Sequence, residues 1–401
     1  MKKSILSLAL TFSFSLHAAE ITHASDAQLH AYKVFHHADY TLDVADKAGG
    51  TNKLIHTTIL PTEGTDNVVT PALDHLYSKA VIDLSSGPVI IDLPEVEKDH
   101  YFSIHITDQE HYTIFDEIRP QGKYVFIHED WQGEVPAGKV IKTRSTYPHL
   151  FIRTQVKSID QSGYTAAYAV QNKIQITGLS KTLQAEDDLI KFTLDSHSAY
   201  PKNKALLESM IGNYDSGVHQ EMFKYIGREF VKGAAKSNIG IFNAEDKGVD
   251  DPLMRALAVI GHLGLPEEHA YYAAMAFNCS GTPLNGDNVE IMTFPYNAGV
   301  DEFWSVTRYS SLTRNTYPGK NDLYNAYNTR PDADGNVTVT FSAEDPQDGT
   351  YWMPVNAGEP YYVVGRYYSP DYNSVRTIDD CGTPTNPVAD FYQEHAAVSA
   401  R

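Results

Sequence analysis

The chain has 401 residues and a formal net charge of −19 at pH 7, with 42% hydrophobic residues and 26 tyrosines. Such an acidic surface argues against nucleic-acid binding, which depends on Lys and Arg side chains that meet phosphates, and against attraction to anionic membranes. The length predicts two domains or one large one, and the abundance of aromatic residues is typical of pleated sheets.

The N-terminal residues have the order of a secretory signal peptide. Lys2 and Lys3 precede an apolar run at residues 5–16, and Ala18 and Ala19 precede the first acid. The run is shorter than the ~20 apolar residues that a membrane-spanning helix needs. We therefore expect a signal peptide at residues 1–19 and an exported protein, periplasmic or secreted, without a membrane span.

Turn signals and alternating hydrophobicity dominate the N-terminal half of the chain. Apolar runs at residues 81–84 and 89–93 flank a Gly-Pro turn, which predicts a β-hairpin or two successive strands. Alternation of apolar and polar residues predicts further strands at residues 101–107, 124–128 and 151–156.

The middle of the chain has helical periodicity. Apolar residues recur at three- and four-residue spacings within residues 203–211 and 217–235. The pair Asp251-Pro252 predicts the start of a further helix, because Pro fits the first helical turn. We therefore predict a helical segment at residues 185–265.

Short strands return after residue 276. They are predicted at residues 291–294, 303–309, 337–341 and 361–368. The whole pattern predicts a mainly β fold of two β-sandwich or jelly-roll-like domains, at residues 20–184 and 266–401, joined by the helical segment. The two cysteines, Cys279 and Cys381, could form one disulfide in an oxidising compartment, and their spacing fits neither a CxxC redox site nor a zinc ribbon.

Two sets of motifs, one in each half, are familiar from protein families. The N-terminal set is Val68-Val69-Thr70-Pro71, Asp74-His75-Leu76-Tyr77-Ser78 and Gly87-Pro88, and the C-terminal set includes Phe303-Trp304-Ser305-Val306-Thr307-Arg308-Tyr309 and Arg366-Tyr367-Tyr368-Ser369-Pro370. They resemble the domain of unknown function 1254 and the domain of unknown function 1214, in that order. The chain has Ala72 and His75 where the family pattern usually has Asn and Thr. The resemblance implies an exported, β-rich protein of two domains, and it implies no agreed chemistry.

Histidines with nearby acids form a candidate metal site. The group consists of His75, His105, His111 and His128 with Asp74, Asp108, Glu129 and Asp130. His75, His105 and His128 are the candidate ligands, and His105 and His128 both lie opposite the apolar stripe of their strands. If those strands are neighbours, the imidazoles could converge on a divalent metal such as zinc, iron or manganese. The alternative is that they are surface or hydrogen-bonded histidines on a wet sheet face.

Carboxylates provide candidate catalytic residues. Asp74, Glu129 and Asp130 could act as the paired acids of glycoside chemistry. The alternative is that they are exposed acids of a very acidic chain.

Aromatic residues and arginines provide candidate binding residues: Tyr77, Trp304, Arg308 and Arg366. Aromatic platforms with Arg could hold a sugar or a carboxylate. The alternative is a sheet core with salt bridges at its edge.

Common catalytic motifs are absent from the sequence, which has no GxSxG, P-loop or GxGxxG before a helix. Three hypotheses therefore stay open. The first is an exported protein that binds a polar cell-envelope ligand such as a glycan. The others are a metal-dependent enzyme with a site on the N-terminal domain, and a structural or assembly module.

Overall fold

The structure, a computed structural model, describes residues 20–61, 69–183, 216–317, 320–378 and 384–385. Across these ranges the fold is mainly β, and this confirms the predicted fold class. The expected signal peptide at residues 1–19 and the predicted helix at residues 203–211 lie outside the described residues, so both stay predictions.

Helices flank the sheets at several points in the described ranges. They are α1 (Asp26–Ala48), α2 (Gln161–Gln171), α3 (Ser216–Val231) and α4 (Pro252–Ile260). Helix α1 begins with a capping box, in which Ser25 Oγ accepts a hydrogen bond from Gln28 N at 3.3 Å and Gln28 Oε1 accepts one from Ser25 N at 3.0 Å. Helices α3 and α4 fall on segments predicted to be helical. Helix α2 lies in a region where strands were expected, and α1 lies where no element was predicted.

The N-terminal sandwich is built from two sheets. Its strands are β1 (Ile55–His56), β2 (His75–Val81), β3 (Val89–Leu93), β4 (Phe102–Thr107), β5 (Thr113–Ile118), β6 (Gly122–His128), β7 (Lys139–Thr143), β8 (His149–Gln155) and β9 (Gln175–Thr177). One sheet has the order β1-β2-β8-β4-β5 and the other β7-β6-β3-β9. Since β2 and β3 belong to different sheets, the Gly-Pro turn joins successive strands and not a hairpin.

The C-terminal sandwich also has two main sheets. Its strands are β10 (Ala270–Met275), β11 (Glu290–Pro295), β12 (Trp304–Ser310), β13 (Leu323–Asn325), β14 (Asn336–Ser342), β15 (Tyr351–Pro354), β16 (Tyr361–Tyr368), β17 (Thr377–Ile378) and β18 (Pro384–Thr385). The sheets are β10-β16-β12-β13 and β11-β14-β15, with β17 and β18 as a separate pair. Cys279 is disulfide-bonded, and Cys381 lies outside the described residues.

The five-stranded sheet is buried on both faces. Ile104 of β4 and Ile152 of β8 point into the apolar core between the N-terminal sheets. The alternate residues of these strands point the other way, and Phe151 there packs against Tyr40 of α1. We call this second face the covered face of the five-stranded sheet.

The C-terminal sheet that contains β16 is covered in the same way. Val363 and Tyr367 face the C-terminal core, whereas Tyr368 packs with Tyr101 and Phe303 at the junction of the domains. An ion pair also joins the domains, because Arg119 Nη2 lies 2.7 Å from Glu302 Oε2. The two covered faces therefore meet around a shared interior.

Candidate functional site: a cavity between the two domains

A cavity lies where the two covered faces and helices α3 and α4 come together. Its volume is about 140 Å³, close to the ~150 Å³ of an engineered apolar cavity that binds benzene. Much of its wall is apolar and is formed by residues such as Ile241, Phe242, Leu257, Ile260, Leu263 and Val364. Its main polar side chains are Thr70, His75, Tyr77, Arg153, Tyr272, Arg314 and Arg366. Among the described residues that line it there is no Asp or Glu.

Arg366 connects the two domains at the cavity wall. Its Nη2 donates to the carbonyl oxygen of Thr70 at 2.8 Å, and its Nη1 donates to Thr307 Oγ1 at 3.3 Å. Burial lowers the pKa of Arg366, but the neighbouring Tyr309, Tyr368 and Asp74 together raise it more, so the guanidinium is held charged. The residues around Thr70 are thereby fixed against β16.

Arg153 of β8 is only 1% exposed and enters the cavity from the N-terminal domain. Its Nη2 donates to the carbonyl oxygen of Leu263. Its Nη1 has no hydrogen-bond partner among the described residues. A buried guanidinium with an unused donor carries an uncompensated desolvation cost, which an anion in the cavity would offset.

Arg314 lies against helix α3 at another part of the wall. Its Nη1 donates to the carbonyl oxygen of Phe223 at 3.2 Å, and its guanidinium lies 4.0 Å from the centre of the Phe223 ring. Gly227 allows this approach, because a Cβ added there would lie 1.6 Å from Arg314 Nη1.

His75 and Tyr77 form a hydrogen-bonded pair on β2. His75 Nε2 lies 2.8 Å from the Tyr77 hydroxyl, and both side chains line the cavity. Burial lowers the pKa of His75 well below its usual value, and the charges of Arg153 and Arg366 add to that effect. Burial also raises the pKa of Tyr77. Both groups are therefore neutral at physiological pH.

Asp74 lies just behind this wall and holds the domains together. Its Oδ2 accepts a hydrogen bond from Ser305 Oγ at 2.6 Å, and its Oδ1 accepts one from Asn325 Nδ2 at 3.2 Å. Burial raises the pKa of Asp74, and the Ser305 hydrogen bond and the charge of Arg366 oppose that rise. The geometry gives Asp74 a connecting role beside the cavity.

The structure thus brings together Asp74, His75, Tyr77 and Arg366 from the sequence-derived candidates. It does not bring Glu129 and Asp130 to them, because both are exposed and follow β6 of the outer N-terminal sheet. A glycosidase-like pair of Asp74 with either acid therefore has no support in the geometry.

Trp304 and Arg308 of β12 point away from the cavity. Trp304 lies in the C-terminal core, where its Nε1 donates to the carbonyl oxygen of Tyr296 at 2.8 Å. Arg308 is buried, pairs with Asp322 and lies 3.9 Å from the centre of the Tyr317 ring. Since residues alternate along a strand, Arg366 and Arg308 serve opposite faces of the same sheet.

His75, His105 and His128 do not converge in the structure. His105 is on β4 and its Nε2 lies 2.8 Å from Thr113 Oγ1. His128 is on β6, in the other sheet, and its Nε2 lies 3.0 Å from the carbonyl oxygen of Arg144. Within the described ranges, no group of three or more His, Cys, Asp or Glu side chains is arranged to hold a metal ion.

A different group of histidines, of which sequence reasoning singled out only His111, packs beside the covered face. We call it the histidine cluster, and its members are His36, His37, His111, His149, His219 and His262. Ring centres within the cluster lie 4.8 to 5.4 Å apart. The only signal in the sequence is the adjacent pair of histidines on α1, because the other members come from distant segments.

Comparisons with known proteins bear on the fold and the domains. In a search of solved structures, the VPA0106 protein from Vibrio parahaemolyticus matches with a TM-score of 0.62 at 20% identity, over 90% of this chain and 97% of that one. An uncharacterized protein from Burkholderia cenocepacia matches with a TM-score of 0.48 at 14% identity, over 86% of this chain and 84% of that one. A search of curated proteins found no match.

No helix in the described ranges is both long enough and apolar enough to cross a membrane. Residues 51–178 match the family described as "Protein of unknown function (DUF1254)", and residues 268–372 match the one described as "Protein of unknown function (DUF1214)". The cavity lies between these two matched regions, and its wall takes residues from both and from the helices that separate them. The two matches follow each other in the order that the motifs indicate, with family 1254 before family 1214.

Proposed function

We propose that the protein binds a small anionic molecule with an apolar body in the cavity between its domains. The observation that carries this proposal is the charge of the wall. Arg153, Arg314 and Arg366 line an otherwise largely apolar space, and no described carboxylate lines it. In a chain with a net charge of −19, three buried guanidinium groups around one cavity favour an anionic occupant.

The apolar wall favours this ligand over the glycan that the sequence suggested. A sugar presents hydroxyl groups around its ring and needs hydrogen-bonding partners on most sides when it is enclosed. The side chains of Ile241, Phe242, Leu257 and Ile260 offer none. An organic acid instead needs charged or polar partners at one end and apolar contacts along the rest.

The test is binding to matched anionic and neutral probes. We expect 4-methylpentanoate to bind and to raise the thermal midpoint, since a ligand at 100 times its Kd stabilises by about 2.7 kcal/mol. We expect 4-methylpentanamide and methyl glucoside to bind at least tenfold more weakly. Equal binding of the acid and the amide in isothermal titration calorimetry would contradict the proposal.

A pair of variants locates the binding. We expect Arg153→Met to lose at least tenfold in affinity for 4-methylpentanoate, because it removes the charge and the unpartnered donor of a residue that lines the cavity. Arg330→Met is the matched control, since Arg330 is exposed and does not line the cavity. Equal losses in the two variants would show that the net charge, and not the cavity, determines the affinity.

We further propose export of the mature chain, on the basis of the signal-peptide order of residues 1–19. Cell fractionation followed by N-terminal sequencing tests it. We expect the mature protein in the exported fraction with Glu20 as its first residue. Retention in the cytoplasm with Met1 still attached would contradict export.

A further inference from the structure

We infer that the anion is a 2-hydroxy acid, a carboxylate with a hydroxyl on the adjacent carbon and an apolar side chain. This inference rests on the proposed function and adds the identity of the group beside the carboxylate. It is drawn from two unused polar atoms on neighbouring strands of the covered face. They are Arg153 Nη1 and His75 Nδ1, and neither has a hydrogen-bond partner among the described residues.

Arg153 selects the carboxylate. Arg153 lines the cavity, and one of its terminal nitrogens donates to the carbonyl oxygen of Leu263, which leaves the other without a partner among the described residues. A charged donor in a buried site prefers a charged acceptor, and such hydrogen bonds are roughly twice as strong as neutral ones. Arg314 also has an unpartnered nitrogen, Nε, but it lies on the helical wall against Phe223.

His75 selects the hydroxyl. In a neutral imidazole one nitrogen donates and the other accepts, and Nε2 already lies 2.8 Å from the Tyr77 hydroxyl. If Tyr77 donates to Nε2, then Nδ1 carries the proton and needs an acceptor. If Nε2 donates to Tyr77, then Nδ1 needs a donor. A ligand hydroxyl can serve in either case, because it both donates and accepts.

The strand register places the two selecting groups side by side. Tyr77 of β2 is directly opposite Arg153 of β8, and His75 is opposite Gln155. His75 is therefore the diagonal neighbour of Arg153 on the same sheet face, at a backbone separation of about 7–8 Å that long side chains can bridge. Both side chains line the same cavity, and His75 is within the electrostatic reach of Arg153.

The remaining wall sets the size of the ligand. Leu257, Ile260 and Leu263 provide aliphatic surface beside the polar end, and the volume of about 140 Å³ suits a small ligand. A small branched acid of this kind is 2-hydroxy-4-methylpentanoate, and its partner without the hydroxyl is 4-methylpentanoate.

The experiment is calorimetric titration of the full chain with 4-methylpentanoate and with each enantiomer of 2-hydroxy-4-methylpentanoate. We expect one enantiomer to bind at least tenfold more tightly than the acid that lacks the hydroxyl. If both acids bind with equal affinity, the hydroxyl inference is overturned and the proposed function stands. If neither acid binds, both the proposed function and the inference are overturned.

Two histidine variants assign the preference to one side chain. In His75→Leu we expect the hydroxy acid and its partner to bind with equal affinity. His105→Leu is the matched control, because His105 is a buried histidine on the same sheet face that does not line the cavity. We expect it to keep the tenfold preference. A preference that persists in His75→Leu would overturn the role of His75. If that variant does not fold, the wild-type comparison of the two acids still decides the inference.

Discussion

The two faces of the five-stranded sheet are equally buried but chemically opposite. Along β8, Leu150 and Ile152 enter an apolar core, whereas Arg153 and His149, on the other face, meet the cavity and the histidine cluster. In the middle of the sheet the first face is apolar, and its titratable side chains His56 and Glu117 lie on the edge strands β1 and β5. The second face has charged and titratable groups beside unpartnered atoms. Burial on the first face therefore stabilises the fold, whereas on the second face it costs stability that a ligand can recover.

The largest expected difference between the faces is in their response to acid. Burial lowers the pKa of His36, His111 and His149 to about 3 and that of His219 to about 4. Below pH 6.5, the usual histidine pKa, the unfolded chain therefore binds more protons than the folded chain. The free energy of unfolding is unaffected by these histidines above pH 6.5 and falls as the pH falls below it. From pH 7 to pH 5 the loss is roughly 2 kcal/mol for each histidine.

Urea denaturation at pH 7, 6 and 5 measures this loss. The His36→Gln, His219→Gln double variant is the control, because it removes two of the four groups and we expect its stability to fall less steeply with pH. Wild-type stability that does not change over this range would show that the histidine cluster is not neutral in the folded protein.

On the apolar face, we expect Ile152→Ala to lower the free energy of unfolding by about 2–5 kcal/mol, because it leaves a cavity in the sandwich core. Val140→Ala, on the partly exposed strand β7, is the control, and its effect should stay within about 0.5 kcal/mol. Similar effects at both positions would mean that the sandwich core is loosely packed.

At the helical wall of the cavity, Gly227→Ala should lower stability by about 1 kcal/mol. The new Cβ displaces the Arg314 guanidinium, and this loss outweighs the better helix propensity of Ala. In an Arg314→Ala background the same change should raise stability by about 0.5–1 kcal/mol. A double-mutant cycle in urea measures this reversal, and additive effects would argue against the contact.

The smallest expected effect on stability is for a substitution on the covered face of the five-stranded sheet. Arg153→Met should change the stability of the unliganded protein by less than about 1 kcal/mol, because the loss of one hydrogen bond is offset by relief of a buried charge. The neighbouring residue in sequence, Ile152, should matter several times more. If urea denaturation shows that the free energy of unfolding falls by more than 3 kcal/mol, the main role of Arg153 is to stabilise the fold.

The positions of the strands were more predictable from the sequence than the way in which the strands pair into sheets. The predicted strand at residues 361–368 coincides with β16, and that at residues 303–309 lies within one residue of β12. The assignment of β4 and β6 to different sheets depends on long-range packing that alternation does not encode. Helix α1 was missed because its buried residues, among them Tyr32, Lys33 and Val34, surround much of the helix and leave a weak amphipathic pattern.

Part of the site was also predictable. The sequence motifs contain four candidate residues that lie in or beside the cavity wall: Asp74, His75, Tyr77 and Arg366. Arg153 was missed, although alternation in β8 puts it opposite Leu150 and Ile152. Its significance depends on that second face being covered, which only the tertiary structure reveals. Arg314 could not be recognised, because its place in the wall depends on Gly227 of a distant helix.

The hydrogen bond between Arg366 and Thr70 joins residues that are synthesised at very different times. The two residues are 296 positions apart in the chain. At synthesis rates of about 5–20 residues per second, roughly 15–60 s pass between the emergence of one and of the other. During that time the N-terminal sandwich can form its apolar core, and helix α1 can cover the part of the covered face around Phe151. The part of that face that lines the cavity still lacks its C-terminal partner until β16 is made, and this interval is when a chaperone would have most to protect.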